Sequence, residues 1–366
     1  MRKKREKRVS AFPYYSVTLL RHQAGVTIVE VMVSIAIGLF ILAGVVQLYA
    51  SATQNSAVVQ GSSTIQENAR YIFSRLAEDV SQAGFGGCFN LTAASASGAS
   101  RFTNVVAGNN AEGELYDFEQ FIDGVDNEAI ENLTFDAFTV RYTKSSERHL
   151  ALTHVNPSFT IADSAPFKQG DLVLVTNCSR MTMFRVSNEP AGSGVLSYAE
   201  TDGYNSLGEG GLEDAYEVRV KEEQKPGTPP VFLSRSTMGV AQYRIDTSAA
   251  GEAAGVNCSS ENAHYCALFR KTTTEGKGDE LVEGVQGFEV EYGWQDYNNQ
   301  DTLYFTDAGS VQNNWNLVDR IKVTATLNSI STAPTNEGVQ RMERSYSRVF
   351  LVHNQFPSDT QFREEL

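Results

Sequence analysis

Few residues in this 366-residue chain are both able to perform chemistry and spaced to do so. Beyond residue 25 the histidines are His149, His154, His264 and His353, with neither an HExxH motif nor a helical pair that would aim two imidazoles at one metal ion. The nucleophile elbow GxSxG and the phosphate loop GxxxxGK[ST] are absent as well. His149 and His154 bracket a strand pattern at a spacing of five, which puts them on opposite faces, so both read as ordinary surface or loop histidines. Carboxylates are abundant, as in any acidic protein, and abundance does not single out a catalytic pair. The expectation is a protein that is not an enzyme.

Two acidic stretches invite a calcium reading. Asp296-Tyr-Asn-Asn-Gln-Asp301 sets oxygen side chains at Asp296, Asn298 and Asp301, roughly as a calcium loop begins, and Asp123-Gly-Val-Asp126-Asn-Glu128 is a second cluster. Neither is a complete loop, and the first lacks the glycine for the sharp turn. The reading adopted is a solvated turn with no cofactor, with a calcium ion stiffening a loop as the alternative. A run of aromatics, Tyr292, Trp294, Tyr297, Tyr304, Phe305 and Trp315, fits either a binding surface or the packing of adjacent strands.

The four cysteines Cys88, Cys178, Cys258 and Cys266 permit three disulfide pairings. The pairing favoured is a local clip, Cys258 with Cys266, which leaves Cys88 and Cys178 to tie the end of a helix to a sheet. Zinc is disfavoured because no C-x2–4-C pair exists.

One further residue demands a partner. Glu30 is the last charge before Glu67, and between them lies Val31-Met-Val-Ser-Ile-Ala-Ile-Gly-Leu-Phe-Ile-Leu-Ala-Gly-Val-Val46. A helix over 26–49 would be about 36 Å long, enough to cross a hydrocarbon core of about 30 Å. A carboxylate inside lipid costs roughly 2.5–3.5 kcal/mol, and such residues are usually functional. The preceding residues 1–25 carry seven Lys or Arg and one Glu. By the positive-inside rule they stay cytoplasmic and the remainder is exported. Without them the formal charge falls from −14 to −20. So acidic a body argues against binding nucleic acid.

Helical periodicity continues past the apolar run. Ile65, Ala69, Ile72, Phe73, Leu76, Ala77 and Val80 define one face, with Glu67, Arg70, Arg75, Glu78 and Asp79 on the others. The spacing predicts one helix of about 55 residues, or about 80 Å, stopped by Gly84 and able to bend at Gly38, Gly44 and Gly61.

Basic leader, Gly25, apolar Val26, Glu30 and a long apolar helix together resemble the class III signal of type IV pilins and pseudopilins. The resemblance implies that a prepilin peptidase cuts after Gly25 and methylates the new amino terminus at Val26, where Phe is common. It also implies a partner for Glu30, the Val26 amine of a neighbouring subunit. Residues 66–88, Gln66-Glu-Asn-Ala-Arg-Tyr-Ile-Phe-Ser-Arg-Leu-Ala-Glu-Asp-Val-Ser-Gln-Ala-Gly-Phe-Gly-Gly-Cys88, are similar to the PilW group of minor pilins, as is the stretch 35–47. Looser likeness runs through 170–178, 281–292 and 346–352.

From residue 90 onward, short alternating segments rich in β-branched and aromatic residues replace the helical pattern. Strands are expected at 134–143, 149–155, 171–176, 181–187, 216–220, 231–234, 239–246, 266–271, 288–294, 320–327 and 348–353, paired antiparallel because no helices alternate with them. The inserts 91–113, 189–214 and 299–314 read as surface loops suited to partner recognition. The expected fold class is α+β: a long N-terminal helix packed on an enlarged antiparallel head. Its expected parts are a cleaved leader (1–25), a membrane and assembly half (26–49), an amphipathic half (50–84) and a head (85–366).

The role implied by the resemblance is that of a minor type IV pilin. It would sit in the inner membrane with a cytoplasmic N-terminus and periplasmic head, then prime assembly or cap the pilus. Partners would be major and minor pilins, the prepilin peptidase, the inner-membrane assembly platform and a tip adhesin, in a fibre serving motility, adhesion or DNA uptake. The alternatives are a minor pseudopilin of a type II secretion system and, more remotely, a soluble binding protein or enzyme released by cleavage after Ala52 in Ala50-Ser-Ala52.

Overall fold

The computed structural model describes residues 25–84, 102–107, 120–162, 166–178, 180–190, 192–200, 203–207, 212, 216, 230–273, 276–295, 303–335 and 338–352. The chain divides into two compact units, Met1–Ser56 and Ala57–Leu366. Helix α1 (Ile28–Gln82) is 55 residues long, as the periodicity predicts.

In the first unit the helix is exposed on every side. It is the one described helix long and apolar enough to cross a membrane, with a mean hydropathy of 2.5 over its most apolar window. In the second unit α1 buries a stripe made by Gly61, Ile65, Ala69, Ile72, Phe73, Leu76, Asp79 and Val80. Each large apolar side chain on that stripe contributes about 1.5–3 kcal/mol by burial. The surface pair Arg75–Glu78, at 2.5 Å, adds only tenths, so packing holds the helix in place. Gly84 ends it in the left-handed conformation (φ 65°), and its N–H donates to the Arg141 carbonyl at 3.0 Å.

Two sheets complete the second unit. The larger contains β1 (Phe102–Asn104), β2 (Ile122–Ile130), β3 (Leu133–Val155), β4 (Ser158–Ile161), β5 (Leu172–Thr176), β6 (Met181–Arg185), β7 (Val195–Ser197), β8 (Phe232–Thr247), β9 (Cys266–Lys271) and β10 (Asp279–Glu283). Their order is β1-β6-β5-β8-β3-β4-β7, with β2 added on β3 and β9–β10 on β8. The smaller sheet contains β11 (Val285–Gln295), β12 (Leu303–Thr306), β13 (Arg320–Thr335) and β14 (Gly338–Leu351), in the order β12-β11-β13-β14. Among the described residues two short α-helices, α2 (Ala249–Ala254) and α3 (Ala308–Val311), connect strands.

The spine of the unit is the antiparallel ribbon of β3 and β8, in register from Phe138↔Tyr243 to Leu150↔Phe232 with a bulge between Ser145 and Arg148. Its Phe138–Tyr243 end belongs to the core shared with α1, β9, β11 and β13. Its other end belongs to a second core built on Phe159, Val173, Phe184, Tyr198 and Leu233.

Several expectations need correction. The segments 134–143 and 149–155 are one strand, as are 231–234 and 239–246, because bulges let a strand bend without ending. The pair β1–β6 is parallel. The three inserts are not simple surface loops. They carry β1, β7, β12 and α3, and they bury Val105, Leu196, Tyr198, Leu212, Ala308 and Val311. Tyr216 is buried but not in a strand, and 217–220 and His353 lie outside the described residues.

Candidate assembly site at the start of the helix

The first helical turn is organised by Thr27. Its carbonyl accepts from the Glu30 and Val31 N–H groups at 3.0 and 3.2 Å, and its Oγ1 accepts from Glu30 N at 3.3 Å. Thr-x-x-Glu is the sequence pattern of a helix cap: the hydroxyl takes an orphan N–H, and the acid sits at the positive end of the helix dipole. Ser34 Oγ donates to the Glu30 carbonyl at 2.7 Å, so the hydroxyl nearest in the next turn is spent on backbone. Glu30 itself is exposed, and among the described residues no ion pair engages its carboxylate. Gly25 and Val26 precede the helix in non-helical backbone and are also exposed. Hydrolysis of the Gly25–Val26 bond would place a new ammonium group, of ordinary pKa about 8, on Val26, four residues from Glu30.

Around this polar tip the surface is apolar. Ile28, Met32, Leu39, Phe40, Val46 and Leu48 are all more than half exposed. A Cβ at Gly38 or Gly44 would touch nothing. Such a surface suits lipid or other apolar helices.

In the second unit the helix is pinned by a charge cluster that the periodicity assigned to a polar face. Asp79 is buried at 1% exposure. Arg270 on β9 donates to its two oxygens from Nε and Nη2 at 2.6 and 2.9 Å. Tyr243 on β8 donates its hydroxyl to Oδ2. Burial pulls the Arg270 guanidinium down, but the Asp79 carboxylate outweighs it and the group is held above its ordinary value. Burial, then the Asp79 charge, push the Tyr243 hydroxyl far up. The signal was present in the sequence. Asp79 follows Ile72 and Leu76 at helical spacing, and Arg270 alternates with Cys266 and Leu268 on the core side of β9.

Cys258 and Cys266 are disulfide-bonded with Cα atoms 4.6 Å apart, as expected. Cys178 is also disulfide-bonded, and Cys88 lies outside the described residues, as do Asp296, Asn298 and Asp301. The second acidic stretch is no turn but the bulged strand β2, whose acids diverge. Asp123 pairs with Arg141 at 2.6 Å, Glu128 with Arg244 at 3.3 Å, and Asp126 accepts from Ala308 N and Gly309 N at 2.8 and 2.6 Å. Among the described residues no group of three candidate ligands is placed to hold a metal ion.

Two histidines also depart from the surface reading. His154 stacks on Phe159 and contacts the Tyr216 carbonyl at 2.9 Å and the Tyr198 hydroxyl at 2.7 Å. His149 lies edge-on to Phe167 at 5.1 Å. Two described aromatics of the run belong to the core. Tyr292 and Trp315 are buried and meet edge to face, and Trp294 packs beside them.

Comparison with known proteins bears on both units. Residues 20–46 match the family model described as the prokaryotic N-terminal methylation motif. Residues 242–359 match the one described as type IV pilus-assembly protein W. The first match includes Gly25, Val26 and Glu30. The second takes in the looser stretches 281–292 and 346–352, whereas 66–88 falls in neither. No curated protein and no solved structure matches the chain. Over these two segments the chain, which joins a methylation motif on an exposed apolar helix to a PilW-like segment, is similar to pilin-type proteins of the type IV pilus, a kind that serves structure and assembly.

Proposed function

We propose that this protein is a minor pilin: prepilin peptidase cuts it after Gly25 and methylates Val26, and it then joins other minor and major pilins to prime or cap a type IV pilus. The observation that carries the reading is Glu30, an exposed acid with no ion pair among the described residues, set inside a methylation motif at the head of a helix that carries no further charge until Glu67. Its partner is the Val26 ammonium of an adjacent subunit, brought close as the apolar helices pack. The PilW match favours the pilus over the type II secretion machine. The head faces the periplasm before extraction, Cys88 pairs with Cys178, and the role requires no cofactor.

The test is Glu30→Ala expressed with its partner pilins. A charge-assisted pair is worth about 1.5–3 kcal/mol, so co-purification of partners with the variant drops by roughly tenfold or more, while membrane insertion is unchanged. Undiminished co-purification and normal piliation would count against the pairing.

A further inference from the structure

The smaller sheet ends on β14, and among the described residues no strand pairs with its outer edge. From 343 to 351 every residue except Tyr346 and Phe350 is exposed. An edge of this length offers a row of backbone N–H and C=O groups to any chain that can lie beside it.

Its side chains restrict which chain that is. The register against β13 is unbroken from Arg320↔Leu351 to Asn328↔Glu343. Arg344 and Arg348 therefore stand on one side of the sheet, opposite Leu327 and Val323, and about 13 Å apart. That is the side on which α1 packs, since Phe350 on the same row meets Phe73 with ring centroids 6.1 Å apart. Both arginines are nevertheless exposed, and neither takes part in an ion pair among the described residues. The Arg348 guanidinium carbon lies 5.7 Å from the Phe350 ring centroid, which braces the side chain without neutralising it. With Arg341 they make β14 a basic strand, answered only by Glu343, in a chain whose formal charge is −14.

We propose that the outer edge of β14 receives an extended, acidic segment of another polypeptide as an added strand, with carboxylates four residues apart meeting Arg344 and Arg348. Strand addition supplies main-chain hydrogen bonds, and the side-chain row supplies selectivity. Inward-pointing charge is also how edge strands are kept from aggregating, and here the two roles coincide. Two copies of β14 paired antiparallel about Tyr346 would set Arg344 of each opposite Arg348 of the other, and like charges placed directly opposite destabilise a strand pair. That register disfavours pairing with a second copy, whereas an acidic strand meets the same arginines with opposite charge. Lipid headgroups or nucleic acid phosphates would use the arginines but not the backbone row. The proposal is independent of the assembly role of Glu30.

The test uses the full chain in detergent and a labelled peptide, Thr-Val-Glu-Val-Thr-Val-Glu-Val-Thr, with its lysine counterpart as control. The acidic peptide binds and slows amide exchange along 343–351, and the lysine peptide does not bind. In the variant carrying Arg344→Glu and Arg348→Glu the preference inverts, each affinity moving by at least about tenfold. That inversion excludes a simple loss of fold. Failure of the acidic peptide to bind, binding indifferent to the double reversal, or protection away from β14 would overturn the proposal. So would equal binding of anionic vesicles through the same arginines with no change in amide exchange.

Discussion

Burying a carboxylate at 1% exposure costs several kcal/mol unless its partners are complete, and Asp79 has them in Arg270 and Tyr243. Asp79→Ala leaves a buried guanidinium unpaired and should lower unfolding stability by about 3–5 kcal/mol, whereas Asp79→Leu combined with Arg270→Met should be near neutral. Denaturant unfolding of the detergent-solubilised protein measures both; a single variant as stable as the parent would show that the cluster does not hold the helix. Asp136 presents the opposite balance. Burial raises its pKa above 3.8, and the charges of Asp126 and Asp307 add to the rise, against two backbone donors, Val290 N and Asn127 N, that lower it. A carboxylate whose folded pKa is raised costs stability while ionised, and the cost fades as pH falls through the folded pKa toward the unfolded one. Acidification from pH 7 to pH 4 should therefore shift the stability difference between the parent and Asp136→Asn toward the parent. A difference that stays constant or shifts toward the variant refutes the assignment.

At the scale of elements, α1 does two jobs along one continuous helix. Leu76 is fully buried and Phe40 is 84% exposed. Leu76→Ala should therefore cost the second unit about 2–5 kcal/mol, and Phe40→Ala should leave its unfolding midpoint unmoved. The same measurement separates the two, and equal effects would contradict the division. This helix was legible because an uncharged run passes directly into a three- and four-residue apolar repeat. The strands were legible as segments but not as elements. Nothing local to residues 145–148 signals that β3 bends at a bulge rather than stops, and β4 and β7, of four and three residues, are too short to show a period. Asp79 was misplaced because charge was weighed above position on the helix, although Ile72 and Leu76 mark its face. The histidine at 154 was misread for a related reason: its burial is set by Phe159 and Tyr198, one from the next strand and one beyond β7.

Over the whole molecule, the family matches and the packing divide the chain in a consistent way. The PilW segment, 242–359, carries β9 to β14, and these strands build much of the core on which α1 packs. Strands β4 to β7 precede that segment and form the second core with the first part of β8. The sequence shows the enlargement as extra length between residues 90 and 240 but not its architecture, because the long β3–β8 ribbon joins residues about a hundred positions apart. The exposed apolar helix points the same way as the methylation motif, toward a pilin-like protein anchored by its helix.

Removal of residues 1–25 would create the assembling end on which the proposed role depends. Intact mass and N-terminal sequencing of the membrane-fraction protein, from cells with and without prepilin peptidase, test it most directly. The expected result is a methylated start at Val26 that appears only when the peptidase is present. A start at Thr53, or an N-terminus indifferent to the peptidase, would contradict it.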